Sequence, residues 1–358
     1  MIRWRRGQVQ SVGRGWAGAV ELTVSVEGAP VRALAYPALV GEPVVGDDVL
    51  LNTTALAMGL GTGGYALVVA LPSRLPPDPP VLDGPGHMVK ARYTPGQVTV
   101  LGVDEQDSPH HALLAAASSL DGTPVVLADL HSALPAVLAG VHTDRPSARV
   151  AYVMTDGGAL PLWFSRTVAT LREAGLLVGT VTVGQAFGGD LEAVTLHTGL
   201  LAARHVLSAD VVVVAQGPGN LGTGTPWGFS GVAVGEAVNA VSVLGGRAVG
   251  SLRLSSGDAR ERHQGVSHHS LTAYGKVALA GADLPVPTPL PAGSAERIAA
   301  QLGELPERHR VVEVPVDGLD AALRAVPVKL SSMGRGLDED RVYFEAAAVA
   351  GRHAASLL

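Results

Sequence analysis

The hydrophobic rhythm of the chain changes partway along. Up to about residue 72, apolar and polar positions alternate over short stretches at 8–13, 19–26, 31–36, 49–52 and 65–71, with Gly, Pro and Asp between them. A period of two marks strands with one buried face, and five of them at this spacing predict a small β-barrel. Farther on, unbroken apolar runs at 125–128, 150–155, 177–183, 211–215 and 248–254 alternate with helix-like segments at 131–141, 160–174, 192–207 and 229–244. Strands covered on both faces read as continuous apolar runs, and their alternation with helices predicts a parallel sheet with right-handed crossovers. The tail adds expected helices at 294–305, 318–325 and 338–356 and a strand at 311–316. The fold class expected is α/β: a Rossmann-like parallel sheet with helices on both faces, preceded by a small N-terminal β-barrel domain. Six prolines between 72 and 85 mark a spacer. This predicts a barrel at 1–72, a Pro-rich linker at 73–86 and an α/β ligand-binding domain at 87–358.

Composition narrows the partners. Of 358 residues, 47% are hydrophobic and only 16% charged, with mean hydropathy +0.29. A surface this poor in charge is expected to be covered by another copy, so a homo-oligomer is predicted. The net charge is −6, and the lysines are Lys90, Lys276 and Lys329. In the barrel region five arginines are balanced by five acidic residues. No nucleic-acid partner is expected, because that needs a basic face. The chain has no Cys, which removes disulfides, thiolate nucleophiles and thiolate metal sites. The longest uncharged stretch, 211–235, is broken by Pro218, Pro226 and many glycines, so no membrane partner is expected. No apolar signal core follows the basic N-terminus, and the expected location is the cytoplasm.

Ligands of open α/β sheets bind beyond the carboxyl ends of the strands, and chemistry-bearing residues gather there. The longest such loop is 216–225, with Gln216, Gly217, Gly219, Gly222 and Thr223, after the strand at 211–215. Glycines let backbone N–H groups approach an anion, and a following helix N-terminus adds positive potential. The loop lacks a Gly-Lys-Ser/Thr ending and a regular dinucleotide spacing, so it is neither a P-loop nor a nucleotide fingerprint. Asp156 and Gly157, and Gly189 and Asp190, occupy similar turns after two other strands. Asp258, Arg260, His263, His268 and His269 form the second constellation. Asp258 and the three histidines are the catalytic candidates, for acid–base work or a metal-activated water. Neighbouring His268 and His269 diverge by about 100° on a helix, which argues against joint chelation. Metal candidates are His131, Asp156 and His268, with the identity of the metal and of any cofactor unknown. Arg260 suits a phosphate or carboxylate. Lys90 and Arg92, expected on one face of a strand, form either an anion clamp or a solvated edge.

The segments 86–95, 155–161, 186–190, 216–219 and 267–269 together resemble an uncharacterised bacterial family, catalogued as a domain of unknown function and found mainly in Gram-positive lineages. The resemblance spans nearly the whole chain and implies no activity. From the residues, the expected function is an enzyme, a hydrolase or transferase, acting on a small anionic substrate bearing phosphate or carboxylate. The alternative is a non-catalytic nucleotide or small-ligand sensor or scaffold whose barrel binds a partner.

Overall fold

A computed structural model describes residues 1–60, 63–78 and 85–358. Residues 79–84 of the expected Pro-rich linker lie outside it. Two compact units form, one of residues 1–100 with 163–169 and one of 101–162 with 170–358.

The first unit is built on a closed barrel of β1 (Trp4–Trp16), β2 (Ala19–Val26), β3 (Ala29–Ala35), β4 (Asp48–Asn52) and β5 (Ala66–Ala70), in the order β1-β2-β3-β5-β4. Strands β3 and β5 run parallel and the other pairs antiparallel, with β1 long enough to close the barrel onto β4. Alternate residues fill the interior, among them Val9, Leu22, Val24, Ala33, Leu51 and Val68. Closure leaves no open sheet edge. A hairpin of β6 (Met88–Lys90) and β7 (Val98–Val100) follows.

In the second unit β8 (Pro124–Ala128), β9 (Val150–Thr155), β10 (Gly179–Thr182), β11 (Leu191–Glu192), β12 (Val211–Gln216) and β13 (Arg247–Ser251) enter one sheet. A short hairpin of β14 (Leu254–Ser255) and β15 (Gly265–Val266) interrupts the alternation, and β16 (Asp283–Thr288) and β17 (Arg310–Pro315) complete the sheet. Its order is β11-β10-β9-β12-β8-β13-β16-β17, parallel throughout. The valines of β12 are entirely enclosed, which is why that strand is an uninterrupted apolar run. The helices Leu134–Asp144 and Arg341–Ser356 cross in backbone contact, since a Cβ on Gly140 would overlap the Ala348 carbonyl.

This order fixes where a ligand can enter. From β8 the chain crosses over β12 to reach β9, whereas from β12 it crosses over β8 to reach β13. Right-handed crossovers in opposite directions put the two following helices on opposite faces. The carboxyl ends of β8 and β12 therefore flank a topological switch point. Among the described residues, no helix is long and apolar enough to cross a membrane.

Candidate functional site

The switch point is lined by Asp129 after β8, Gln216 at the end of β12, and Ser230 and Gly231 ahead of the helix Ala233–Val243. They enclose a cavity of about 20 Å³, the size of a single water. Gln216 Nε2 donates to the Asp129 carbonyl at 2.7 Å and to Asn220 Oδ1 at 2.9 Å, while its Oε1 is buried with no partner among the described residues. Gly231 is required here, because a Cβ would stand 2.9 Å from the Asp129 Cβ.

Asp129 leads to the histidines. Its Oδ2 lies 3.3 Å from His269 Nδ1, and both side chains are buried. The His269 ring stacks flat on Phe229 with centroids 3.8 Å apart. Ser267 caps the short helix His268–Thr272 by accepting the His269 N–H, and its Oγ lies 2.7 Å from His263 Nδ1. The rings of His263, His268 and His269 have centroids 4.5–5.0 Å apart, and one nitrogen of each lies within 4.8 Å of the others. Joint approach of His268 and His269 corrects the sequence expectation. The 100° divergence holds along a helix, but these residues open its first turn. There Cα–Cβ bonds tilt toward the N-terminus, so both rings reach past the helix end.

Buried charge surrounds this cluster. Asp258 is 2% exposed and receives Arg260 through Nε (2.9 Å) and Nη2 (2.7 Å), and Arg335 at 3.1 Å. The Arg260 bonds, helped by Arg335, hold its carboxyl far below the usual carboxylate range against the opposing effect of burial. Such a group is a poor proton acceptor near neutrality, so Asp258 organises guanidinium groups and does not suit the catalytic proton-transfer role expected of it. Asp340 binds Ser255 Oγ, two backbone amides and Arg335 in the same network. Arg253, 3% exposed, reaches both Asp258 (3.7 Å) and His269 Nδ1 (3.2 Å). Burial, then the charges of Arg253 and Arg260, pushes His263 down to about 3. Burial, then the neighbouring His269 and the charge of Arg262, pushes His268 down to about 4. Both imidazoles are neutral at physiological pH and retain a lone pair. On His269, Asp129 favours Nδ1–H with a lone pair on Nε2, and Arg253 favours the opposite tautomer.

The other expected residues divide. The glycine-rich loop folds back as a hairpin, with Gly222 bridged to Phe229 and the Thr223 N–H bonded to the Gly228 carbonyl. The amides of Gly217, Leu221 and Thr223 are bonded to Thr155, Ser230 and Gly228. Gly219 has φ 95° and faces open space, and Gly224 lies 3.9 Å, from a hypothetical Cβ, from the exposed Arg262. Gly157 packs on Gln216, and Gly217 on Ala159, so these glycines serve contact between adjacent loops. Asp156 accepts the Gln185 amide at 2.9 Å. Asp190 stands apart: it accepts from the Thr180 N–H and hydroxyl and pairs with Arg172. Thr180 is near the amino end of β10 and Asp190 precedes β11, so Asp190 fastens the sheet at the wrong edge for the site, while the Gly189 N–H donates to Thr182 Oγ1 at the other end of β10. His131 is bonded to Tyr152 and, with Asp156, lies outside the histidine cluster. In the first unit Lys90 is buried and partnered, not a solvated edge. Strand β6 ends there and Ala91 takes φ 49°, so Lys90 and Arg92 do not share a strand face.

Arg253 and Phe229 were missing from the expected site residues. Arg253 had a readable signal, a single charge within the apolar run 248–254. Phe229 had none, since an aromatic ahead of a helix ordinarily reads as core.

The chain belongs to a family described as a protein of unknown function (DUF3866), whose model matches residues 32–351. No curated protein matches it.

Proposed function

We propose that this protein is an enzyme that acts on a small phosphate- or carboxylate-bearing substrate, by hydrolysis or group transfer, at the carboxyl edge of the parallel sheet. The observation carrying this reading is the cluster of His263, His268 and His269 beside buried Arg253, backed by Asp129, with His263 and His268 kept in the neutral form. Neutral imidazoles can take or relay protons, and guanidinium groups complement a planar or tetrahedral anion. Arg262 is exposed, close to His268 and the glycine-rich loop, and makes no ion pair among the described residues. It is suited to meet an incoming anion at the rim.

A second reading, a ligand sensor with a partner-binding barrel, draws on the β1-β2-β3-β5-β4 strand order, which five-stranded oligonucleotide- and oligosaccharide-binding barrels also use. Turnover separates the two. Phosphate monoesters, sugar phosphates, nucleotides and carboxylic esters are screened with the wild type, Arg262→Ala and His268→Ala. The enzyme reading expects turnover with one class, a raised KM in Arg262→Ala and a lost kcat in His268→Ala. Thermal stabilisation without turnover supports the sensor, and neither response to any class refutes both.

A further inference from the structure

We propose that His263, His268 and His269 form a binding site for one divalent transition-metal ion, zinc being the best match, with a coordination position left for water or an anionic oxygen. Three independent observations converge. The three imidazoles come from two neighbouring segments and bring one nitrogen each within 4.8 Å of the others. Nitrogens bound to a common zinc at about 2.0–2.1 Å stand about 3.3 Å apart in a tetrahedron, so small ring rotations complete the site.

His268 Nε2 is a buried polar atom with no hydrogen-bond partner among the described residues. A buried, orphaned imidazole nitrogen costs free energy unless it finds a partner for its lone pair or its proton. A metal ion bound there removes that cost.

The groups behind the rings are those that orient metal-binding histidines. Asp129 Oδ2 stands at 3.3 Å from His269 Nδ1, and Ser267 Oγ at 2.7 Å from His263 Nδ1. Nδ1–H directed at each oxygen leaves the lone pair on Nε2, the arrangement by which a carboxylate or hydroxyl fixes the tautomer of a metal ligand. A metal at Nε2 also settles the competition between Asp129 and Arg253 over His269 in favour of Asp129.

The donor set selects the ion. Three imidazole nitrogens suit zinc and its neighbours and are poor ligands for calcium or magnesium, which require oxygen. Three protein ligands and an open position are the pattern of catalytic zinc, in contrast to four-ligand structural sites. Nearby Arg253 and Arg260 make an anion the natural fourth ligand, so metal and guanidinium groups would hold the same oxygen-rich substrate. The inference goes beyond the proposed reaction, because metal binding can be measured whatever the chain catalyses.

The test uses the full-length protein, stripped with dipicolinate and dialysed. Zinc is titrated against a chromogenic chelator, bound metal is counted by mass spectrometry, and cobalt(II) is substituted to read the ligand field. The expected result is one zinc per chain, a raised Tm, and intense tetrahedral cobalt absorption. His268→Ala is expected to weaken zinc about a hundredfold or more, and Asp129→Asn about ten- to a hundredfold. His197→Ala, which removes an exposed histidine elsewhere, should bind zinc as the wild type does. His268→Gln is measured in parallel, so that a folding defect in one variant does not decide the result. Failure to bind zinc at 1:1 overturns the proposal, as does equal binding by folded His268→Gln or six-coordinate cobalt spectra. These outcomes leave the turnover screen standing on its own.

Discussion

Replacing His131 should flatten the acid side of the stability curve. His131 Nδ1 lies 3.0 Å from Tyr152 Oη, and that hydroxyl points to the carbonyls of Ala215 and Gln216 at 3.2 and 3.1 Å. The hydroxyl's one proton serves the carbonyls, so His131 donates from Nδ1 in the neutral form. Burial pushes its pKa down to about 4, only partly offset by a backbone hydrogen bond at Gln216. In the unfolded chain the value returns to about 6.5. The unfolded state therefore takes up the proton first. The stability from the neutral ring is complete above 6.5, falls as pH drops from 6.5 to 4, and changes no further below that. Linkage over these two values gives a loss of about 2 kcal/mol between pH 7 and pH 5, a sizeable part of a domain's net stability. His263 and His268 are also held low and steepen the wild-type slope, whereas Glu345, raised by burial, works against it. These contributions are common to wild type and His131→Gln and cancel in the difference. Urea unfolding of both proteins in chelator, at half-unit steps from pH 7 to 5, reads that difference directly. It should narrow by about 2 kcal/mol toward pH 5. Parallel pH profiles would refute the reasoning and show that His131 is already protonated, or solvated, in the folded protein.

Two further substitutions test the loops. A Cβ on Gly158 overlaps the Gly217 carbonyl, so Gly158→Ala should cost about 1–3 kcal/mol in chemical denaturation; an unchanged midpoint would show that the loops after β9 and β12 do not touch. Asp190→Ala removes three bonds that tie β10 to β11 and its helix, and should cost about 1–3 kcal/mol while leaving turnover and zinc affinity per folded molecule unchanged. Loss of either function in a folded Asp190→Ala protein would return this residue to the site.

What the sequence disclosed follows from the range of its signals. The barrel strands and the apolar runs of β8, β9 and β12 are local patterns, and they locate the carboxyl edge where Gln216 and the histidines gather. Strand β16 was not legible because it carries Pro285 and Pro287, residues that argue against a strand inside a sheet. The structure accommodates them by alternation. Both prolines fall at the same parity as Asp283, which makes the β13–β16 contact, so the missing donors face one neighbour and the ladder to β17 persists. The helix expected at 192–207 is divided for a comparable reason: Leu191–Glu192 is captured by β10, and Thr195 caps a helix that begins only at Leu196. Asp190 shows the limit most clearly. Like Asp129 after β8, it stands in a loop after a predicted strand, yet it faces the sheet's amino edge and Asp129 the switch point. Which edge an acidic residue reaches depends on how far the next strand slides along its neighbour, and that register is set by Thr180, Thr182 and Glu192 across ten residues of chain. The backing of the histidine cluster is long-range in the same sense: His269 finds Asp129 across 140 residues because β8 and β13 are neighbours in the sheet. Strand order thus supplies the carboxylate behind His269, whereas the proximity of His263, His268 and His269 to one another is local, within seven residues of chain.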